Sequence, residues 1–288
     1  MVLNDTIQIC DGVKAPRLGL GTWFIEGEAA TQAVCDAAAI GYRHFDTAEG
    51  YGNEREVGAG VRACGLPRNQ VFLTTKLEAA YKTYDQAHAG IEKSLADLDC
   101  GYIDLMIIHS PQPWSKVNQS DDRYFAGNLE AWRALEDAQS EGKIRAIGVS
   151  NFQPADLQNI LDHGRVKPAV NQVLCHVGNT PWETIDFCRQ QGIAIEAYSP
   201  VAHGAILGNT EVAAMADRYG VSVPQLCIRY CLQLGAIALP KTANPDHMRT
   251  NAQVDFQISD ADMETLRKFK PVTDYGEANQ FPVYGGKL

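Results

Sequence analysis

The sequence predicts an α/β fold: a (β/α)8 barrel of the TIM type, preceded by an N-terminal β-hairpin and carrying extra helices. Three observations lead there. Eight short apolar runs alternate with helical patterns along the 288 residues, and strands separated by helices build a parallel sheet. No linker or change of composition divides the chain, so residues 1–288 read as a single domain whose sheet closes on itself. Each run also ends in polar or aromatic residues that a purely structural strand does not need.

Ile7 to Leu18 set a Cys10-Asp11-Gly12 turn between apolar stretches, which predicts the hairpin. The eight strands follow as Leu18 to Trp23, His44-Phe45, Val71 to Leu73, Ile103 to Ile108, Ile144 to Val149, Ala169-Val170, Ile193 to Ile195 and Ala236 to Leu239. Helical spacing occupies Ala29–Ile40, Glu54–Cys64, Thr83–Leu98, Asn128–Glu141, Pro154–Leu161, Thr180–Gln190, Glu211–Tyr219 and Pro224–Leu234. Asn53-Glu54 reads as the start of the second of these helices. The Gly19-Leu20-Gly21 stretch lacks the third glycine and the strand-to-helix phosphate loop of a dinucleotide fingerprint, so it carries little weight.

With 45% hydrophobic and 21% charged residues the chain has the composition of a folded protein rather than a disordered one. A formal net charge of −10 argues against nucleic acid, because phosphate neutralisation needs a concentrated basic face. Met1-Val2-Leu3-Asn4-Asp5 lacks the basic start and apolar core of a signal peptide, and no run approaches the ~18 apolar residues of a membrane span. The expectation is a cytoplasmic protein without membrane partners, and a monomer, since no exposed interaction motif stands out. The eight cysteines are scattered without a Cys-x-x-Cys pair, and Cys227 and Cys231 fall one helical turn apart in an apolar segment; buried thiols are expected, and no metal.

The strand ends carry Thr22-Trp23, Asp46, Lys76, His109, Ser150-Asn151, Gln172, Tyr198-Ser199 and Lys241-Thr242. Singly, Lys76 or Lys241 reads as a solvated strand end, His109 as a satisfied core histidine and Asn151 as a helix cap. Together, on the C-terminal face of a parallel barrel, they read as one pocket. Tyr51 lies five residues beyond Asp46. A phenol with a reference pKa of about 10 is a poor acid at neutral pH, but an ammonium beside it favours the phenolate, and a carboxylate fixes that ammonium in place. Tyr51 then serves as general acid toward a carbonyl oxygen that His109 helps to orient. Protonation is half of a reduction; the hydride requires a cofactor. Leu239-Pro240-Lys241-Thr242 leads to Pro245 at a helix start, an arrangement suited to an anion such as phosphate. Tyr198 suits stacking on a flat ring, while Ser150, Asn151 and Gln172 suit a carboxamide.

Four segments now carry a resemblance. Gly41 to Ala48 with Tyr51 and Asn53-Glu54, Tyr102 to His109, Gly142 to Phe152, and Leu239 to Thr242 resemble, in order, the signatures of the aldo-keto reductases, and most of all the bacterial 2,5-diketo-gluconate reductase group. The resemblance implies reduction of an aldehyde or ketone to an alcohol, with a catalytic tetrad of Asp46, Tyr51, Lys76 and His109 and Tyr51 as proton donor. It implies NADPH lying extended across the barrel mouth. Ser150, Asn151 and Gln172 would hold the carboxamide, Tyr198 would stack on the nicotinamide, and Thr22, Ser199, Val201, Lys241, Thr242 and Asn251 would complete the cofactor path. Where many members carry an arginine this chain has His247, which lacks the bidentate grip on a 2′-phosphate; use of NAD beside NADP is expected, unless Arg249 compensates. The Trp-Pro that often follows the histidine is replaced by Ser110-Pro111-Gln112-Pro113-Trp114. Trp23, Ser110, Trp114 and the tail from Phe281 to Tyr284 are the candidate walls of the substrate pocket.

Two other classes fit parts of the pattern. Lys76 as a Schiff-base nucleophile would make an aldolase-type enzyme, although an acid and a phenol beside it favour keeping it charged. A sensing protein could retain the fold and cofactor without turnover, although all four catalytic positions are filled.

Overall fold

The computed structural model describes residues 1–117 and 119–284. A hairpin comes first: β1 (Thr6–Cys10) pairs antiparallel with β2 (Val13–Pro16), and Gly12 takes the tight turn at φ 72°. Eight strands follow: β3 (Leu20–Gly21), β4 (His44–Asp46), β5 (Phe72–Leu77), β6 (Ile103–Ile108), β7 (Ile144–Ser150), β8 (Val170–Leu174), β9 (Ala194–Tyr198) and β10 (Ile237–Leu239). They pair in sequence order and parallel throughout. Parallel bridges from Leu18 to Ala238 and from Gly21 to Lys241 join the first strand to the last, closing the barrel. Regular pairing in the first strand is confined to Leu20–Gly21, shorter than its apolar pattern suggests.

The intervening helices are α1 (Glu28–Ile40), α2 (Glu54–Ala63), α3 (Tyr84–Leu98), α4 (Phe125–Ser140), α5 (Pro154–His163), α6 (Trp182–Gln191), α7 (Thr210–Arg218) and α8 (Val223–Gln233), each close to its expected position. Local chemistry sets several starts. Gln153 and Asp156 form a capping box with Pro154 in the first turn of α5, and Ser222 and Gln225 do the same for α8. The seven-residue α9 (Pro245–Asn251) begins at the expected proline. Beyond the expected helices lies α10 (Asp260–Arg267), which Ser259 caps and whose first turn holds two aspartates.

Strand alternation builds two cores. Leu105 and Ile107 face the barrel interior with Phe72, Ala146, Val170, Ile237 and Leu239, and the hairpin residues Ile9, Val13 and Ala15 plug that interior from below. Met106 and Ile108 turn outward to meet the helices, where Trp132, Leu135 and Ile91 are fully buried. With the bottom plugged, access to the barrel is from its C-terminal rim.

Two histidines buried in this framework make a test of it. Burial lowers His44 and His176 to about 4 each. Both are neutral when folded, so the unfolded chain binds the extra protons as pH falls below the ordinary value of about 6.5, and stability drops from there down to about pH 4. The expected loss is on the order of 6 kcal/mol for the two. Buried Glu196, raised to about 8, opposes this part-way, because it is protonated when folded and ionised when unfolded above about pH 4.5. Urea unfolding at stepped pH should show the acid decline, and His176→Gln should flatten it; an unchanged slope would remove His176 from the account.

Candidate active site

Register brings the first group together. β4, β5 and β6 lie side by side, with Asp46 opposite Thr74 and Lys76 opposite Ile107. Lys76 therefore stands two residues higher than Asp46's partner, and its Nζ reaches across to Asp46 Oδ1 at 2.6 Å and donates to Thr47 O at 2.8 Å. Both side chains are almost wholly buried, at 1% and 5% exposure, so this ion pair is not screened by water. The ammonium lies 4.8 Å from the centre of the Tyr51 ring. His109, just beyond β6, sets its ring edge-on to Tyr51 with centroids 5.6 Å apart. All four residues expected as a tetrad thus occupy one place.

The loops that hold them are tied together by a residue read from the sequence only as a helix start. Asn53 is buried; its Oδ1 accepts from Thr47 Oγ1 at 2.6 Å, and its Nδ2 donates to Thr22 O at 3.0 Å and Ile25 O at 2.8 Å. Glu54, likewise buried, accepts from Thr75 Oγ1 at 2.6 Å and Ser94 Oγ at 3.2 Å. The segment after β4 is therefore clamped to β3, β5 and α3.

Electrostatics correct one expectation. Burial raises the Tyr51 phenol above its ordinary value, outweighing the pull of Lys76 in the opposite direction. Tyr51 consequently holds its proton throughout the neutral range. For Lys76 burial works against the charge, but Asp46 and Tyr51 more than restore it, and the lysine ends above its usual value. His109 is driven well below its ordinary value by burial and by Lys76, so it is a neutral imidazole. Its Nδ1 is buried without a hydrogen-bond partner.

A further carboxyl lies beneath. Gln172 Nε2 donates to Asp46 Oδ2 and to Glu196 Oε2, both at 2.8 Å, which commits both amide protons. Burial, then the charge of Asp46, raises Glu196 to about 8, so it is a neutral acid beside an ionised one. Its signal in the sequence is a charged residue inside the apolar run of β9; the reading above stopped that strand at Ile195.

Above this floor opens a cleft of about 330 Å³. Trp23, Tyr51, His109, Trp114, Ser150, Asn151, Gln172 and Tyr198 line it, together with Gly50, Glu78 and the tail from Phe281 to Tyr284. Trp114 meets the His109 ring edge-on at 5.0 Å, and Trp23 stacks on Tyr284 at 6.0 Å. Tyr198 donates to Asn151 Oδ1 at 2.8 Å, while Asn151 Nδ2 donates to His109 O at 3.1 Å. Asn151 holds φ 62°, a conformation its side chain tolerates better than most.

Other expected residues lie apart from the cleft lining. Ser110 is fully buried and absent from the cleft wall, contrary to expectation; its carbonyl accepts from Lys82 Nζ at 3.2 Å. Thr22 is buried with its hydroxyl bonded to Asp46 O at 2.9 Å. Ser199 Oγ pairs with Tyr284 OH at 2.7 Å, and Val201 is half-buried in the turn that follows. Lys241 and His247 are exposed, Thr242 is half-buried and Asn251 is buried, all between β10 and the end of α9. Arg249 is paired with Asp246 at 2.8 Å. Glu78 and Gly50 were missed; Glu78 was within reach of period-two spacing, two positions after Lys76.

In chemical terms the floor gathers a protonated phenol, a fixed ammonium and a neutral imidazole beneath a mostly aromatic wall. That is equipment for protonating or deprotonating an oxygen on a small molecule. Comparison with known proteins agrees. The model of the Aldo/keto reductase family matches residues 17–271. A glyoxal reductase of Bacillus subtilis is 39% identical over 92% of each chain, and an aldo-keto reductase of Mycobacterium sp. (strain JLS) is 37% identical over 94% of this chain and 95% of its own. The crystal structure of an aldo/keto reductase from Brucella melitensis superposes with a TM-score of 0.84 at 34% identity, covering 92% of this chain and 98% of that one. An aldo-keto reductase of Bombyx mori in complex with NADP superposes with a TM-score of 0.84 at 29% identity, covering 98% and 99%. The closed barrel, the cleft at its rim and these matches along nearly the whole chain lead to one conclusion: the protein belongs to the aldo/keto reductase family, and is an oxidoreductase acting on small carbonyl compounds.

Proposed function

We propose that the protein reduces an aldehyde or ketone to an alcohol with NADPH, Tyr51 donating the proton. The observation that carries this reading is the convergence of the protonated Tyr51 phenol, the Lys76–Asp46 pair and the neutral His109 at the floor of one cleft. Bound there, a nicotinamide cofactor would supply the hydride. The polar atoms of the cleft fit that group: with both Gln172 amide protons engaged, its carbonyl oxygen is left to accept from a carboxamide, and Ser150 and Asn151 stand beside it. Tyr198, held by Asn151, would flank the ring. His109, a neutral imidazole in the cleft lining, would orient the substrate oxygen. Thr22, Ser199, Val201, Lys241, Thr242, His247 and Asn251 are proposed for the rest of the cofactor path. Lys76 stays charged and paired, which disfavours a Schiff-base role.

NADP in the Bombyx mori neighbour supports the nucleotide, and the name of the Bacillus subtilis relative makes glyoxal and other small dicarbonyls the first substrates to try. His247 is a poor anchor for a 2′-phosphate and Arg249 is already paired, so weak discrimination between NADPH and NADH is expected. Cofactor oxidation followed with each nucleotide should give a ratio of kcat/KM below about a thousandfold. A larger preference would remove the role given to His247, and no oxidation with any carbonyl would remove the proposed reaction.

A further inference from the structure

One residue of the cleft has no part in the chemistry above. Glu78 follows Lys76 by two positions, one residue beyond the end of β5. Lys76 remains below, in its pair with Asp46, and Glu78 lines the cleft. A Cβ on Gly50 would stand 3.0 Å from Glu78 Oε2 and 4.0 Å from His109 Nδ1. Glu78 therefore approaches Gly50 closely, and Gly50, Tyr51, His109 and Glu78 line one cleft, so the carboxylate shares the space that the substrate must enter.

Glu78 is the one carboxylate in the cleft lining among the described residues. No lysine or arginine lines the cleft among the described residues, and His109 is neutral there. Lys76 is offset by Asp46. Lys82, four positions along, turns away and donates to Ser110 O at 3.2 Å and Asn128 Oδ1 at 2.7 Å. The cleft is mostly aromatic, with Trp23, Trp114 and Phe281 in its lining, so a second negative charge brought in would be poorly screened and would find no counter-ion in the cleft wall.

We propose that Glu78 sets the substrate class of this cleft, admitting uncharged or cationic carbonyl compounds and rejecting those that carry a carboxylate within a ring's length of the reacting group. The inference rests on the carbonyl-reductase reading and adds to it a selection by charge. 4-Formylbenzoate and 4-formylbenzamide share a ring and nearly a volume but differ in charge. The wild-type protein should favour the amide by about tenfold or more in kcat/KM. Glu78→Gln should shrink that ratio by a similar factor, and Glu78→Lys should reverse it. A wild-type ratio near one, or a ratio that Glu78→Gln leaves unchanged, would overturn the proposal.

If neither compound is reduced, the carbonyl-reductase reading fails separately, and charge selection is read from binding. Fluorescence of the two cleft tryptophans should then report tighter binding of benzamide than of benzoate. Added salt should narrow that gap in the wild-type protein itself, whether or not the variants fold. Equal affinities at low salt would count against Glu78.

Discussion

Tyr51→Phe should lower the rate of carbonyl reduction by about 10² to 10⁴, the range a positioned general acid contributes. The substitution removes one hydroxyl and keeps the ring, which packs 6.2 Å from Trp23 and 5.6 Å from His109, so the shape of the cleft is retained. The loss should therefore fall on kcat, with little change in the dissociation constant of NADPH. The wild-type pH profile supplies a second signature. A general acid works while it holds its proton, and Tyr51 is raised above the ordinary phenol value, so reduction should stay flat through neutrality and fail only on the alkaline side. A variant within a few-fold of wild type would show that another group delivers the proton.

Lys76→Met should destabilise the fold by about 3–5 kcal/mol, the cost of breaking a buried ion pair on one side. Its partner Asp46 accepts from Lys76 Nζ at 2.6 Å and has little contact with solvent, so the carboxylate left behind would be buried with only the Gln172 amide for company. Reduction should be lost as well, because the ammonium near Tyr51 would be gone. The double variant Asp46→Asn/Lys76→Met separates the effects: removing both charges should return much of the stability but none of the activity. Denaturant unfolding of the single and double variants measures this. A single variant as stable as wild type would mean that the pair is hydrated rather than buried.

The barrel was legible because it requires only order and spacing: apolar runs alternating with helical patterns, and polar residues where the runs end. The same logic places Asp46, Lys76 and His109 on one rim from order and spacing alone. What escaped depends on depth and direction. Ser110 adjoins His109 in sequence yet is buried outside the cleft, since neighbouring residues at a strand end turn opposite ways. The net direction for the Tyr51 phenol follows from burial, which a list of neighbouring charges does not disclose. Glu196 lay hidden in an apolar strand, where its meaning depends on the Gln172 amide from the next strand. Asn53 looked like a helix start, although its side chain ties two loops together across the rim.

The account turns on hydride delivery to a carbonyl carbon in the cleft above Tyr51. NADPH stereospecifically deuterated at the transferable position of C4, incubated with an uncharged aromatic aldehyde, gives the direct test when the alcohol is analysed by mass spectrometry. With the label on the transferred face, the alcohol should carry one deuterium on its carbinol carbon for each cofactor oxidised, and Tyr51→Phe should slow its appearance without altering where the label lies. Alcohol without deuterium from either labelled face, or cofactor oxidation without alcohol, would contradict the account.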